Sequence, residues 1–263
     1  MTQDLENMVL VITGAASGIG RAVAIEAAAQ GVRQILATDL NPEGMASLAA
    51  ELSGHAEVAC VVANLSETTA AQKIADGARA AFGRIDGLVN AAGVTTRASV
   101  ADGNATDFDM IFAINTRAPF LLMQEAVKDM QNRNSGGVIV NIQSMNAHCG
   151  PPELALYSAS KGALQTLTKN AANAHLHDGI RVNGINLGWV LTEAEHNMQA
   201  NVLGHGEDWM KKAGANLPLG RLVSPEETAR TTMFLLSPSS APMTGVNLDF
   251  EQSVTGAPNA GIG

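Results

Sequence analysis

The sequence predicts an α/β protein built on one parallel β-sheet with helices packed against both faces. Three observations carry this expectation. Seven short β-rich runs are separated by helix-forming stretches. The runs lack polar alternation, as strands buried on both faces do. A glycine cluster joins the first run to the first helical stretch.

The first strand is expected at 8–12, followed by a helix of strong formers through 21–29. Further strands are read at 34–38, 57–63, 87–90, 138–142, 181–186 and 245–250. Helices fall between them at 42–53, 67–82, 105–131, 154–177 and 225–236. The alternation is continuous and holds no repeat or low-complexity linker, so residues 1–263 are read as a single domain. Residues 191–223 break the rhythm, punctuated by Gly204, Gly206, Gly214 and Pro218. Ligands of open α/β sheets bind beyond the carboxyl ends of the strands. This segment follows such an end and is read as a substrate lid. The tail beyond Phe250 is rich in Gly, Pro and Asn and is expected to be loosely held.

Composition excludes several functions. Lys and Arg total 16 against 25 Asp and Glu, a net charge of -9. That balance argues against nucleic acid and against anionic membrane surfaces. Apolar residues make up 46% but aromatics only 3%, so the core must be aliphatic. Two cysteines build no disulfide framework, the first residues lack a signal peptide's positive charge, and no apolar run reaches a membrane span. A cytoplasmic protein is expected. Among the six histidines, His175 and His177 are two apart and point to different helix faces, and no metal site is expected. Cys60 reads as a core thiol and Cys149 as a pocket edge. Ser144 is not set in a Gly-x-Ser-x-Gly elbow, which removes a hydrolase reading.

Between the first strand and helix lies Thr13-Gly14-Ala15-Ala16-Ser17-Gly18-Ile19-Gly20. Glycines allow a tight turn and close approach to a pyrophosphate, and free N–H groups at a helix start attract anions. The second strand ends at Asp39, about 20 residues further on, where a carboxylate can accept from ribose hydroxyls. It would repel a 2′-phosphate by roughly 4 kcal/mol at about 4 Å and an effective dielectric of about 20. Asp39 could instead cap the helix starting near Pro42; the ribose role is preferred, and with it NAD.

Tyr157 and Lys161 are four apart at the start of a helix, with Ser144 at the end of the strand before it. Residues four apart share a helix face. A phenol titrates near 10, and proton transfer at pH 7 needs that lowered by about 3 units, roughly 4 kcal/mol. A nearby ammonium can supply it. Tyr157 is also the only tyrosine in the chain.

These motifs occur in order with Asn90-Ala91-Ala92-Gly93, Asn115, Asn186-Leu187-Gly188 and Thr192. In that order the chain resembles the short-chain dehydrogenase/reductase family, in its class of about 250 residues, over essentially its full length. The resemblance implies a Rossmann fold whose seven strands run in the order 3-2-1-4-5-6-7. It also implies hydride exchange between a nicotinamide cofactor and an alcohol or carbonyl carbon. By that resemblance Tyr157 is the general acid or base, and Ser144 stabilises charge on the substrate oxygen. Lys161 lowers the phenol's pKa and binds the nicotinamide ribose, and Asn115 holds a water that relays the proton. Cofactor contacts are assigned to Gly14, Ser17, Gly18, Ile19, Gly20, Asp39, Leu40, Asn64, Leu65, Asn90, Ala91 and Gly93. Tyr157, Lys161, Gly188, Val190 and Thr192 complete that set. The chain departs from the family in three places. Asn64 stands where an Asp faces the adenine amino group, Leu187 replaces a Pro before Gly188, and Leu248-Asp249-Phe250-Glu251 replaces Val-Asp-Gly-Gly.

The expected activity is NAD-dependent interconversion of a secondary alcohol and a ketone on a sugar, polyol or sugar acid. Thr95, Thr96, Arg97, Asn146, His148, Glu193 and His196 would line a hydrogen-bonding pocket. An inward Arg97 would favour a sugar acid and an outward one a neutral compound. A 3-oxoacyl carrier-protein reductase is the alternative within enzymes, and a non-catalytic dinucleotide-binding regulator the alternative outside them. The 105–131 helix is apolar over more than one face and must bury a second side. By the resemblance, that side packs in a homotetramer.

Overall fold

The computed structural model describes residues 5–255. Strands β1 (Val9–Thr13), β2 (Gln34–Asp39), β3 (Glu57–Val62), β4 (Gly87–Asn90), β5 (Gly137–Ser144), β6 (Ile180–Leu187) and β7 (Asn247–Phe250) form one sheet. Their order is β3-β2-β1-β4-β5-β6-β7, with every pairing parallel. The expected strand order is therefore observed. The winding reverses between β1 and β4, which places a crevice at their carboxyl ends.

Helices α1 (Gly18–Ala29), α2 (Pro42–Glu51), α3 (Ala70–Phe82), α4 (Ala105–Phe112), α5 (Ala118–Arg133) and α6 (Ala155–Ala174) follow the first five strands. After β6 come the short helices α7 (Glu193–Asn197) and α8 (Trp209–Gly214), then α9 (Pro225–Leu236). Successive strand residues point to opposite faces, so the aliphatic core splits into two layers. Ile12, Ile35, Val140 and Ile185 pack with α1, α2 and α9. Val11, Leu36, Leu88 and Ile139 pack with α3, α5 and α6.

Four expectations change. Cys60 is exposed, because β3 is the sheet edge and its burial is incomplete along its length. The last strand starts at Asn247, two residues late, because Gly245 turns at φ +73. The tail is tied down as far as it is described: Gln252 accepts from the Leu219 N–H and donates to the Arg221 carbonyl. Residues 256–263 of that tail lie outside the described residues.

The 105–131 helix is interrupted by a π turn at Ala113–Arg117, in which the Ala118 N–H reaches back five residues to the Ala113 carbonyl. Pro119 explains why the α pattern fails there, since it has no N–H to give the carbonyl of Asn115, four residues earlier. The interrupted helix leaves Phe108, Met110 and Phe120 exposed on a single chain.

Residues 191–223 are anchored at their base by a parallel bridge between Val190 and Val223. Above it they hold a small core of their own, in which Ala200, Trp209 and Leu222 are buried together.

Candidate active site

The crevice is built from backbone first. Gly14 and Gly18 adopt positive φ, and a Cβ on Gly20 would sit 2.2 Å from the Gly14 carbonyl oxygen. A Cβ on Gly14 would lie 3.0 Å from the Ala92 backbone. The Thr13 hydroxyl accepts from the Ala91 and Ala92 N–H groups, which ties the ends of β1 and β4 together. Ser17 is extended and its side chain caps no amide, so the first N–H groups of α1 are left for an anion. Ile19 packs its side chain against the core beneath. This cradle fits a dinucleotide, because side chains in place of its glycines would close it.

Asp39 stands at the end of β2. One of its oxygens accepts from the Ala16 N–H and the other from the Asn41 N–H, each at 3.1 Å. The alternative role as helix cap goes to Asn41, which accepts from the Gly44 N–H. The nearby guanidinium of Arg21 is held by Glu51, Ser47 and the Gly44 carbonyl. Leu40 is 62% exposed beside this carboxylate, and Leu65 packs at the margin of the second core layer. Asn64 is already engaged locally: its side-chain oxygen accepts from both the N–H and the hydroxyl of Ser66. The acceptor expected for an adenine amino group is thus occupied. Asn90 also departs from its assignment. Its buried amide donates to Asn141, so the side chain braces the sheet and does not face the crevice.

Ser144, Tyr157 and Lys161 converge at the end of β5. The Ser144 hydroxyl accepts from the Asn146 N–H, and Ser144 and Thr95 both act on the Tyr157 phenol through their hydroxyls. Lys161, one helical turn along α6, lies with its ammonium 5.8 Å from the Tyr157 ring centre. It donates to the Ile142 carbonyl at 2.9 Å, and burial lowers its pKa to about 8. The phenol itself is held above its ordinary value, contrary to the expected lowering by Lys161. Burial is the main cause; the bonds to Ser144 and Thr95 oppose it, and the Glu195 carboxylate adds to it.

Asn115 sits inside the π turn. Its amide donates to the Val94 carbonyl and Ser160 hydroxyl, and its side-chain oxygen accepts from the Val94 N–H. That oxygen and the Lys161 ammonium flank Gly93, 3.3 and 3.4 Å from where a Cβ would be. With proline at 119, the Asn115 main-chain carbonyl lacks its helical donor.

The 191–223 segment begins over the cradle. The Thr192 methyl lies 3.4 Å from the Cβ position of Gly18, and the Thr192 hydroxyl caps α7 by accepting from the Glu195 N–H. Val190 is buried in the bridge below. A Cβ on Gly188 would strike the Glu251 carboxylate, so the altered end pattern closes against this turn.

The seven pocket residues read from sequence divide. Thr95 reaches the phenol, and Asn146 reaches Ser144 through its backbone. His148 turns to Asp249 at 3.0 Å, and Asn186 donates to the same carboxylate. Glu193 is exposed, while His196 accepts from the Trp209 indole. Thr96 and Arg97 are half-buried. Among the described residues, no three His, Cys, Asp or Glu side chains converge as metal ligands. No described helix is long and apolar enough to cross a membrane.

The family model described as enoyl-(acyl carrier protein) reductase matches residues 14–252. A D-threitol dehydrogenase of Mycolicibacterium smegmatis is 39% identical over 255 residues, spanning 95% of this chain and 94% of the relative. A 3-oxoacyl-[acyl-carrier-protein] reductase of Thermotoga maritima is 33% identical, spanning 92% and 95%. Among solved structures, a Serratia marcescens short-chain dehydrogenase/reductase variant superposes with TM-score 0.84 at 30% identity, covering 95% of this chain and 98% of that one. Levodione reductase superposes with TM-score 0.87 at 29% identity, covering 94% and 96%.

Proposed function

The chain belongs to the short-chain dehydrogenase/reductase family, whose alcohol–ketone oxidoreductase chemistry it shares, and we propose that it oxidises a secondary alcohol of a small polyhydroxy compound with NAD. The observation that carries this reading is the meeting of Ser144, Tyr157 and Lys161 beside a glycine cradle whose far end carries Asp39.

A nicotinamide bound in the cradle would supply the hydride acceptor for the carbinol carbon. The remaining work falls to the protein. Tyr157 takes the hydroxyl proton, and Ser144 holds the substrate oxygen in line with the phenol. Lys161, bonded to the Ile142 carbonyl, stands below the ring where its charge offsets the phenolate. The Asn115 carbonyl, without its helical donor, holds a water that carries the proton from Lys161 outward. Ser17, Gly18, Ile19 and Gly20 bind the pyrophosphate. Asp39 receives the adenosine ribose hydroxyls, while Leu40 and Leu65 border the adenine and Ala91 and Gly93 the cradle floor. Gly188, Val190 and Thr192 border the nicotinamide side.

The polyhydroxy substrate is supported by the polar loops around Thr95 and the lid, and by likeness to a D-threitol dehydrogenase. Likeness to a carrier-protein reductase supports a second reading, but an acidic carrier would meet a protein of net charge -9. Four copies assembling through the exposed Phe108, Met110 and Phe120 face complete the proposal. The test is NADH formation across polyols, sugars, sugar acids, hydrophobic alcohols and a 3-hydroxyacyl thioester. Turnover of polyols is expected. Turnover confined to hydrophobic alcohols, sterols or the thioester would overturn the substrate assignment.

A further inference from the structure

One loop joins Ser144 to the helix that carries Tyr157, and it is fastened along its length. At its front the Ser144 hydroxyl accepts from the Asn146 N–H at 3.1 Å, and a single 3-10 turn follows over Met145–Ala147. A hydroxyl oxygen that accepts there must point its own proton elsewhere, so the turn sets the direction in which Ser144 can donate. Further on, Gly150 is wedged against α6: a Cβ there would lie 2.3 Å from the Ser158 hydroxyl and 2.9 Å from the Asn146 side chain. Between these points stands His148, whose N–H closes the turn on the Met145 carbonyl at 3.0 Å.

The His148 imidazole reaches across the sheet. Its Nε2 lies 3.0 Å from Asp249 Oδ1 on β7, and that oxygen also accepts from the Asn186 amide at 2.8 Å. The other Asp249 oxygen accepts from the Thr255 hydroxyl. Asn186 is buried and pairs in register with Asp249 across β6 and β7, which fixes the carboxylate in place. Burial works against the Asp249 charge, yet the bonds from His148, Asn186 and Thr255 hold its carboxyl below the ordinary range. An ionised carboxylate only accepts, so Nε2 carries a proton and donates. The bond to a charged acceptor ties the turn after Ser144 to the edge strand of the sheet.

We propose that His148 is a positioning residue: through its bond to Asp249 it holds the Met145–Ala147 turn, and with it the direction of the Ser144 hydroxyl toward the substrate oxygen. This rests on the catalytic reading of Ser144 and adds a residue to it. A reacting group displaced by about 1 Å can cost on the order of a hundredfold in rate. The glycine cradle lies at the ends of β1 and β4 and takes no part in this bond, so the loss should fall on turnover and leave cofactor binding in place.

The test measures kcat and KM of the full-length chain with NAD, on the alcohol that wild type oxidises fastest. Turnover is expressed per NADH-binding site, counted by fluorescence titration, so that misfolded protein does not enter the comparison. His148→Phe keeps a ring without a nitrogen; its kcat should fall at least about tenfold while KM stays within a few-fold. His148→Gln places an amide N–H as many bonds from the backbone as Nε2 and should restore kcat to near the wild-type value. Asp249→Ala should match His148→Phe, and the double variant should lose no more than either alone. An unimpaired His148→Phe or Asp249→Ala, a His148→Gln as impaired as His148→Phe, or losses that multiply in the double variant would each overturn the role of His148. Full turnover by Ser144→Ala, or a wild type idle on every alcohol, would instead overturn the catalytic reading beneath it.

Discussion

Exchanging Asp39 for Asn should move the protein from NAD toward NADP, and the structure sets the size of the change. Both oxygens of Asp39 are held by backbone amides, those of Ala16 and Asn41. The carboxylate therefore cannot swing aside to admit a 2′-phosphate without giving up two hydrogen bonds. Two unit charges about 4 Å apart repel by roughly 4 kcal/mol at an effective dielectric of about 20. Salt and the half-exposed setting screen part of this, yet about 1.4 kcal/mol already separates the cofactors tenfold. Arg21 offers no compensation, because Glu51 and the α2 amino end hold it. Wild type should favour NAD by at least about tenfold in kcat/KM, and Asp39→Asn should reduce that ratio by a similar factor. The variant also has a structural cost. Hydrogen bonds to a charged acceptor become bonds to a neutral one, and one amide now faces an NH2. A loss of about 1 kcal/mol is expected, a fall in Tm of roughly 2–4 °C for a chain of this size. Steady-state kinetics with both cofactors and a cofactor-free thermal melt measure the two effects separately. Equal use of NAD and NADP by wild type, or an unchanged ratio in Asp39→Asn, would refute the ribose assignment.

Other outcomes follow from the same geometry. Tyr157→Phe should abolish turnover while NADH fluorescence reports binding within a few-fold of wild type; near-normal turnover would exclude the phenol as the proton carrier. Lys161→Met should abolish turnover and also change how stability depends on pH. The folded Lys161 titrates near 8, below its ordinary 10.5, so burying its charge costs most below about pH 8 and nothing above about 10.5. Wild type should therefore gain roughly 3 kcal/mol on the variant between those limits. Urea melts at pH 7.5 and 10 that gave a constant difference would contradict this. Replacing Ser224 by Ala removes the capping box it forms with Glu227 at the start of α9; a loss of about 1 kcal/mol is expected by thermal melt. Sedimentation should find a species near four times the 27.2 kDa chain, and Phe120→Asp should dissociate it. A wild-type monomer stable to dilution would leave the apolar α4–α5 face without a partner.

The frame of the molecule was open to sequence reading because it is written locally. Unalternating strands such as 8–12 and the glycines that follow them specify a buried parallel sheet and its first turn without reference to distant residues. The pairing of Tyr157 with Lys161 is equally local, being one helical turn. What escaped depends on where elements end up. Cys60 lies in a run as apolar as any other, and only its place at the sheet edge exposes it. Asn90 belongs to a stretch that borders the crevice, yet the pleat turns its side chain inward to Asn141. Pocket residues in the 191–223 segment were chosen by polarity, which favoured Glu193 and His196; Glu193 is exposed and His196 accepts from the Trp209 indole. The π turn left a signal that went unread, in Pro119 four residues beyond Asn115. The direction of the Tyr157 shift was misjudged because helical spacing reports neighbours and says nothing of burial.

The contacts made after β7 set an order in time. Asp249 anchors His148 in the loop that follows Ser144, Glu251 closes on Gly188, and Gln252 fastens the returning limb of the lid. A ribosome adds roughly 5–20 residues each second, amino end first. Tyr157 and Lys161 thus emerge several seconds before the residues that secure the loop and lid around them. During that interval the nascent chain can bring Ser144, Tyr157 and Lys161 together but lacks the contacts around them, and β6 waits with an open edge for its last partner. These contacts are the last made in synthesis among the described residues, so a nascent chain stalled shortly before Asp249 would carry the Tyr157 and Lys161 pair without the contacts that fasten the loop after Ser144 and the 191–223 segment.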